Sequence, residues 1–142
     1  IPQIDVFTDN GYTKEEMKLV HETHKILEDN DIQITPTAVR VPVFRSHAES
    51  IYLETEDVIT ADEARELLEA APRVIVKDNP RENVYPMPVD TANTDDIYVG
   101  RVRNDLYVEN GLNMWVCFDQ IRKGAAANAV QIAELLLEND WI

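Results

Sequence analysis

Two β-rich runs, IYVGRVRNDLYV from Ile97 and LNMWVCFD from Leu112, flank the tripeptide Glu109-Asn110-Gly111. β-Branched and aromatic side chains suit a pleated, half-buried surface, and Asn-Gly between two such runs is a strong short-range hairpin signal. A chain built around this pair needs an antiparallel sheet, and its other segments must extend or cover it. ESIYLETE, shortly after His47, and RVIVKD, from Arg73, read as two more strands. IQITPTAVRVPVF, from Ile32 to Phe44, reads as another. There Val39, Val41 and Val43 would share one face and Arg40, Pro42 and Phe44 the other. Pro42 has no N–H to give a ladder, so it marks an edge, a bulge or a strand end.

Helices are announced by their starts. Thr13 with Glu16 and Thr60 with Glu63 both have capping-box spacing. The first predicts a helix from Thr13 to Asp29 with Met17, Val20, His24 and Leu27 on one stripe. The second predicts a stripe of Ala64, Leu67, Leu68 and Ala71. A last helix is expected over QIRKGAAANAVQIAELLLEN, where the small residues Gly124 to Ala127 would admit close backbone approach. NPRENVYPMPVDTANTDD, with three prolines, is a long irregular connection of the kind that serves a site or an interface. The fold class is therefore α+β: a mixed, mostly antiparallel sheet with helices on its faces.

Charge narrows the partners. The 142 residues carry 27 Asp and Glu against 13 Lys and Arg, a net charge of −14. Such a surface repels phosphate backbones and anionic bilayers, so neither nucleic acid nor membrane is an expected partner. No run reaches the roughly 18 apolar residues of a membrane span. Cys117 is the single cysteine, which excludes an intrachain disulfide and fits a reducing, cytoplasmic setting. The opening IPQIDVFTDNGYT has neither a basic nor an apolar leader region, and its start at Ile1 reads as a cut inside a longer chain.

Five side-chain groups could do chemistry. Arg40, among valines, needs an anion; its planar fork suits a carboxylate, whether a structural salt-bridge partner or a ligand. His47, near a strand end, has the intrinsic pKa for proton transfer at neutral pH, or is a hydrogen-bonded loop histidine. Arg45 would lower its pKa if the two pointed the same way. Glu15 and Lys18, at i and i+3, form a helix pair worth a few tenths of a kcal/mol unless a ligand uses them. His21 and His24 share that spacing, but no Cys- or His-rich segment supports a metal site, and none is expected. Cys117, mid-strand, reads as a buried inert thiol. Spacing alone thus points to an anion-binding, proton-transferring cleft.

The ordered segments IPQID, GYTKEEMK, TAVRVPVFRSHAESIYLE, YPMPVDTAN, VGRVRND and NMWVCFDQIRKGAAANAVQIAE say more. With seven residues from Arg40 to His47 and twenty-two from Lys18 to Arg40, the chain resembles the C-terminal part of bacterial aspartate-β-semialdehyde dehydrogenases. The resemblance implies the C-terminal fold of glyceraldehyde-3-phosphate-dehydrogenase-like enzymes. It implies a catalytic and dimerisation domain over residues 1–119, incomplete on its N-terminal side, and a helix over 120–142 that packs on a nucleotide-binding domain outside this chain. It implies NADP-dependent reductive dephosphorylation of aspartyl phosphate, a step toward lysine, methionine and threonine, in a homodimer handling aspartate semialdehyde and phosphate.

By the same resemblance His47 is the acid/base histidine, Arg40 grips the substrate α-carboxylate, Lys18 meets phosphate, Glu15 lies beside the substrate amino group and Gln120 lies near the nicotinamide. The family's nucleophilic cysteine lies upstream of these segments, so Cys117 is not it. The chain alone is expected to be inactive. Arg45 departs from the small residue that many members have there. The alternatives are a dimerisation module without catalysis and an N-acetylglutamyl-phosphate-type reductase. For the latter, an acetylated amine would have no use for Glu15.

Overall fold

The computed structural model describes residues 1–142, in two compact units, Ile1–Pro42 and Val43–Ile142. The first unit holds one helix, α1 (Lys14–Leu27), with Thr13 as N-cap. The capping box is complete: Thr13 N–H donates to Glu16 Oε2 at 2.7 Å, and Glu16 N–H to Thr13 Oγ1 at 3.3 Å. Glu16 is buried, and its other oxygen accepts the Ala38 N–H at 2.9 Å. One carboxylate thus starts the helix and ties down the chain that follows it.

That chain is not a strand. Residues 31–42 form no ladder, and the strand expected from Ile32 to Phe44 is absent. The alternation is nonetheless real in burial: Ile32, Ile34, Pro36 and Ala38 are half-buried and the residues between them are exposed. The segment is extended and one face of it is covered, but no neighbouring strand pairs with it. Val39, Val41 and Val43 stay about half exposed, and Phe44 is fully so.

The second unit is a four-stranded mixed sheet in the order β1-β4-β3-β2, formed by β1 (His47–Glu54), β2 (Val74–Val76), β3 (Ile97–Asn104) and β4 (Gly111–Phe118). β1–β4 and β4–β3 are antiparallel, and β3–β2 is parallel. The sheet bears out the expected class. β1 begins at His47 itself, without the break expected there.

The β3–β4 connection departs from a two-residue Asn-Gly turn. Asp105 Oδ1 accepts the N–H groups of Tyr107 and Val108 at 2.9 and 3.0 Å, and Asp105 N–H donates to the Gly111 carbonyl at 2.8 Å. The loop is an aspartate-organised turn. Gly111 is needed for space: a Cβ there would come within 2.8 Å of Asp105 Cβ.

α2 (Ala61–Ala70) covers one sheet face. Ala61, Ala64 and Leu68 pack with Val99, Val102, Leu112 and Val116. Leu67, expected in this stripe, points out and is 64% exposed. The stripe that packs is i, i+3, i+7, and two of its members are alanines, which let the helix lie close.

β3 is broken by a bulge. Gly100 pairs with Trp115 and Arg103 with Asn113, so Arg101 and Val102 together oppose Met114. Asp78, its side chain 1% exposed, fixes the bulge by accepting the N–H groups of Arg101 (2.7 Å) and Val102 (3.1 Å). Arg65 Nε donates to the same carboxylate at 2.8 Å.

The residues expected to form one last helix form two elements: a π-turn at Arg122–Ala126, then α4 (Ala127–Glu138). A Cβ on Gly124 would sit 3.6 Å from Phe118, ordinary contact, so no close approach demands glycine here. α4 buries no residue; Val130, Ile132, Leu135 and Leu137 are all more than half exposed. No helix is long and apolar enough to cross a membrane.

Candidate active site

In the first unit Lys18 Nζ lies 3.1 Å from Glu15 Oε2, with both side chains well exposed. The hydrogen bond to Glu15 lifts the lysine's pKa above its ordinary value, and the nearby carboxylate charge adds to this. Arg40 is exposed, with its backbone N–H on the Ile1 carbonyl at 2.9 Å. Because Ala38 is bonded to Glu16, the chain carrying Arg40 is held against the first turn of α1, the turn that carries Glu15. Sequence reading saw Glu16 only as a cap; this second bond carries no local signal. His24 Nε2 donates to the Ile32 carbonyl at 2.8 Å, so its ring serves the fold of this unit.

In the second unit His47 is the exposed first residue of edge strand β1, in register with Phe118 at the end of β4. Its ring meets Phe118 edge-on, with centroids 5.8 Å apart and planes at 66°. Glu49 follows two residues on, on the same face. Desolvation raises its pKa, and His47 partly counters this.

The residues before His47 are strongly held. Arg45 does not serve as a free neighbouring charge: its Nε donates to Asp119 Oδ2 at 2.5 Å. Ser46 is buried, with φ at +78°, and its N–H donates to Gln120 Oε1 at 2.8 Å. Asp119, fully buried, is the centre of this corner. Its Oδ2 also accepts the Asn93 N–H at 2.7 Å, and its Oδ1 accepts those of Ile121 (2.9 Å) and Arg122 (3.0 Å). Burial alone would push the Asp119 pKa up. The Arg45 guanidinium and the three backbone donors outweigh it and hold the carboxyl well below the usual range.

A depressed folded-state pKa stabilises the fold above the unfolded-state value, near 3.9, and that contribution is lost as pH falls below it toward the folded value. Asp119→Asn should therefore lower stability at neutral pH and flatten its fall on acidification. Acid-unfolding curves of the two proteins followed by circular dichroism check this, and parallel curves would contradict it.

Cys117 is 0% exposed, and burial pushes its thiol up to about 11, so it is a poor nucleophile. The structure thus gathers Glu15, Lys18 and the Arg40 segment in one unit, and His47 and Gln120 in the other. Asp119 was missed by sequence reading. It is one of 27 acidic residues, and only the fold shows which of them is buried.

The family model for the semialdehyde dehydrogenase dimerisation domain matches residues 1–123. This chain belongs to that family. Curated relatives named aspartate-semialdehyde dehydrogenase include that of Aquifex aeolicus, 56% identical over 142 residues, which cover all of this chain and 42% of that protein. Another, from Legionella pneumophila, is 55% identical over 137 residues, covering 96% of this chain and 40% of that protein. The semialdehyde dehydrogenase dimerisation domain described here therefore spans about two fifths of the length of the relatives it matches. Among solved structures, aspartate semialdehyde dehydrogenase II from Vibrio cholerae complexed with ASA superposes with a TM-score of 0.91 at 50% identity, over 97% of this chain and 40% of that one.

Proposed function

We propose that the protein to which this chain belongs is an NADP-dependent aspartate-semialdehyde dehydrogenase, and that this chain supplies its proton-transfer and substrate-gripping side chains. The single observation that carries the reading is His47, exposed at the mouth of an edge strand while the residues before it are locked in place. An imidazole so held is suited to moving a proton at one reacting atom, the thiol or thiohemiacetal oxygen. Arg40, exposed and with no carboxylate of its own chain within salt-bridge distance, has its two-bond fork available for an α-carboxylate. Lys18 is held cationic and meets the acyl phosphate; Glu15, its partner, then turns to the substrate ammonium.

NADP, when bound, supplies the redox chemistry. Of this chain's residues Gln120 is the one assigned to it. With Oε1 on Ser46, its Nε2 is the end suited to donate to a carboxamide oxygen, which fits a nicotinamide. The bulk of the nucleotide site and the nucleophilic cysteine belong to the part of the protein outside this chain. Cys117, with its raised pKa, does not replace the latter, and the 142 residues alone are inactive. The domain assignment follows: residues 1–119 catalyse and dimerise, and the exposed apolar side of α4, within 120–142, packs on the nucleotide-binding domain. The location is cytoplasmic.

The test is turnover by the full-length protein. Aspartate semialdehyde with NADP and phosphate should be a substrate, and N-acetylglutamate semialdehyde a far poorer one. The reverse preference, or no turnover of either, ends the reading. In light scattering the same preparation should be dimeric, with more than roughly 1,000 Å² buried in total between copies; a monomer at micromolar concentration counts against the dimer.

A further inference from the structure

We propose that Arg45, Asp119 and Gln120 are positioning residues for His47: together they fix the corner from which its ring is aimed. The inference rests on the role given to His47 above.

Three consecutive residues at this corner have different fates. Arg45 bonds Asp119 at 2.5 Å, Ser46 N–H bonds Gln120 at 2.8 Å, and His47 enters the ladder opposite Phe118. Asp119 and Gln120 are the two residues that leave β4 immediately after Phe118. The entrance of one strand is therefore stitched to the exit of its neighbour, beyond the last ladder pair. Asp119 extends the stitch to Asn93, in the loop before β3, and to the turn at Ile121 and Arg122. His47 is thus fixed from both sides, by the strand register after it and by side-chain bonds before it.

Ser46 shows what the corner holds against. It is a non-glycine residue at φ +78°, a conformation that persists only when its surroundings over-determine it. Its Oγ is buried without a hydrogen-bond partner, so the serine side chain does not secure the turn. The Gln120 oxygen and the Arg45–Asp119 pair do. The amide orientation is unambiguous, because only Oε1 can accept a backbone N–H. Displacement of a reacting group by about 1 Å can cost on the order of 10² in rate, so slack at Ser46 should be read in turnover before it is read in binding.

The experiment uses the full-length enzyme with Arg45→Met, Gln120→Met and Gln120→Glu, and His47→Ala beside them. Both methionine variants should lose at least about tenfold in kcat while KM for aspartate semialdehyde stays within about twofold. Gln120→Glu keeps an acceptor oxygen for Ser46 but loses the amide donor assigned to the nicotinamide, so it should regain kcat relative to Gln120→Met while its KM for NADP rises. If Arg45→Met fails to fold, Arg45→Lys, which lacks the Nε donor, takes its place with the same expectation. Wild-type kcat in the Arg45 variant, with a defect only at Gln120, overturns the proposal in favour of a cofactor contact alone. So does a loss confined to KM. If His47→Ala abolishes turnover and the others do not, positioning alone is wrong. If His47→Ala keeps its kcat, the role of His47 is wrong and the positioning role goes with it.

Discussion

Replacing His47 with Ala in the full-length enzyme should lower kcat by about 10² to 10⁴, the usual range for a positioned acid/base, and leave KM for aspartate semialdehyde nearly unchanged. The ring stands exposed at the start of β1, backed by the edge of Phe118, and forms no hydrogen bond on which the fold depends. Its loss should remove proton transfer and little else. Arg40→Lys is the informative contrast. Lysine keeps the charge but not the planar fork, so a carboxylate would be held by one point rather than two. Orientation then suffers along with affinity, and kcat and KM should both worsen. Steady-state kinetics of the two variants side by side decide it. A tenfold rise in KM with kcat intact for His47→Ala would make His47 a binding residue.

Gly100→Ala should cost about 3 kcal/mol or more of stability, at the upper end for overpacking. A Cβ on Gly100 would overlap the Lys77 carbonyl oxygen and lie 2.6 Å from Pro86 Cδ. Neither obstacle is the soft end of a side chain. One belongs to the backbone that continues β2, where Lys77 N–H bonds the Val99 carbonyl at 2.8 Å, and the other to a proline ring. Gly100 is also the last residue before the bulge, so the sheet cannot yield there without releasing the Asp78 bonds to Arg101 and Val102. Denaturant unfolding of the two proteins measures the difference, and a change below about 1 kcal/mol would mean that the loop at Pro86 gives way freely.

Local chemistry made much of this legible in advance. The capping boxes at Thr13 and Thr60 are four-residue signals, and both form as read. β3 and β4 follow from their composition. What periodicity could not supply was the partner: residues 32–38 alternate in burial as a strand would, yet no strand pairs with them. Alternation reports which side is covered, and a ladder also needs a neighbour at the right distance. Leu67 failed for a related reason, since two alanines one turn apart rotate α2 so that a leucine faces water. For the candidate site, the residue types of Arg40, His47, Glu15, Lys18 and Gln120 could be read, and the resemblance gave them roles. Asp119, Ser46 and the second bond of Glu16 could not. Each draws its importance from partners at least twenty-two positions away in sequence: Asn93 and Arg45 for Asp119, Gln120 for Ser46, Ala38 for Glu16.

The pairing of His47 with Phe118 has a consequence for how the protein is made. β3 and β4 lie close in sequence and can meet early, but β1 must wait for partners fifty-seven to seventy-one positions further along the chain (111 minus 54, 118 minus 47). Closing so long a loop is slow and is favoured only once the hairpin exists to receive it. β1 is an outer strand with β4 as its one neighbour, so the histidine edge is expected to pair after the hairpin. A folding intermediate with the hairpin and α2 in place would have most of the core and none of the corner. The corner that holds His47 would then form after compactness, as the last event in this unit.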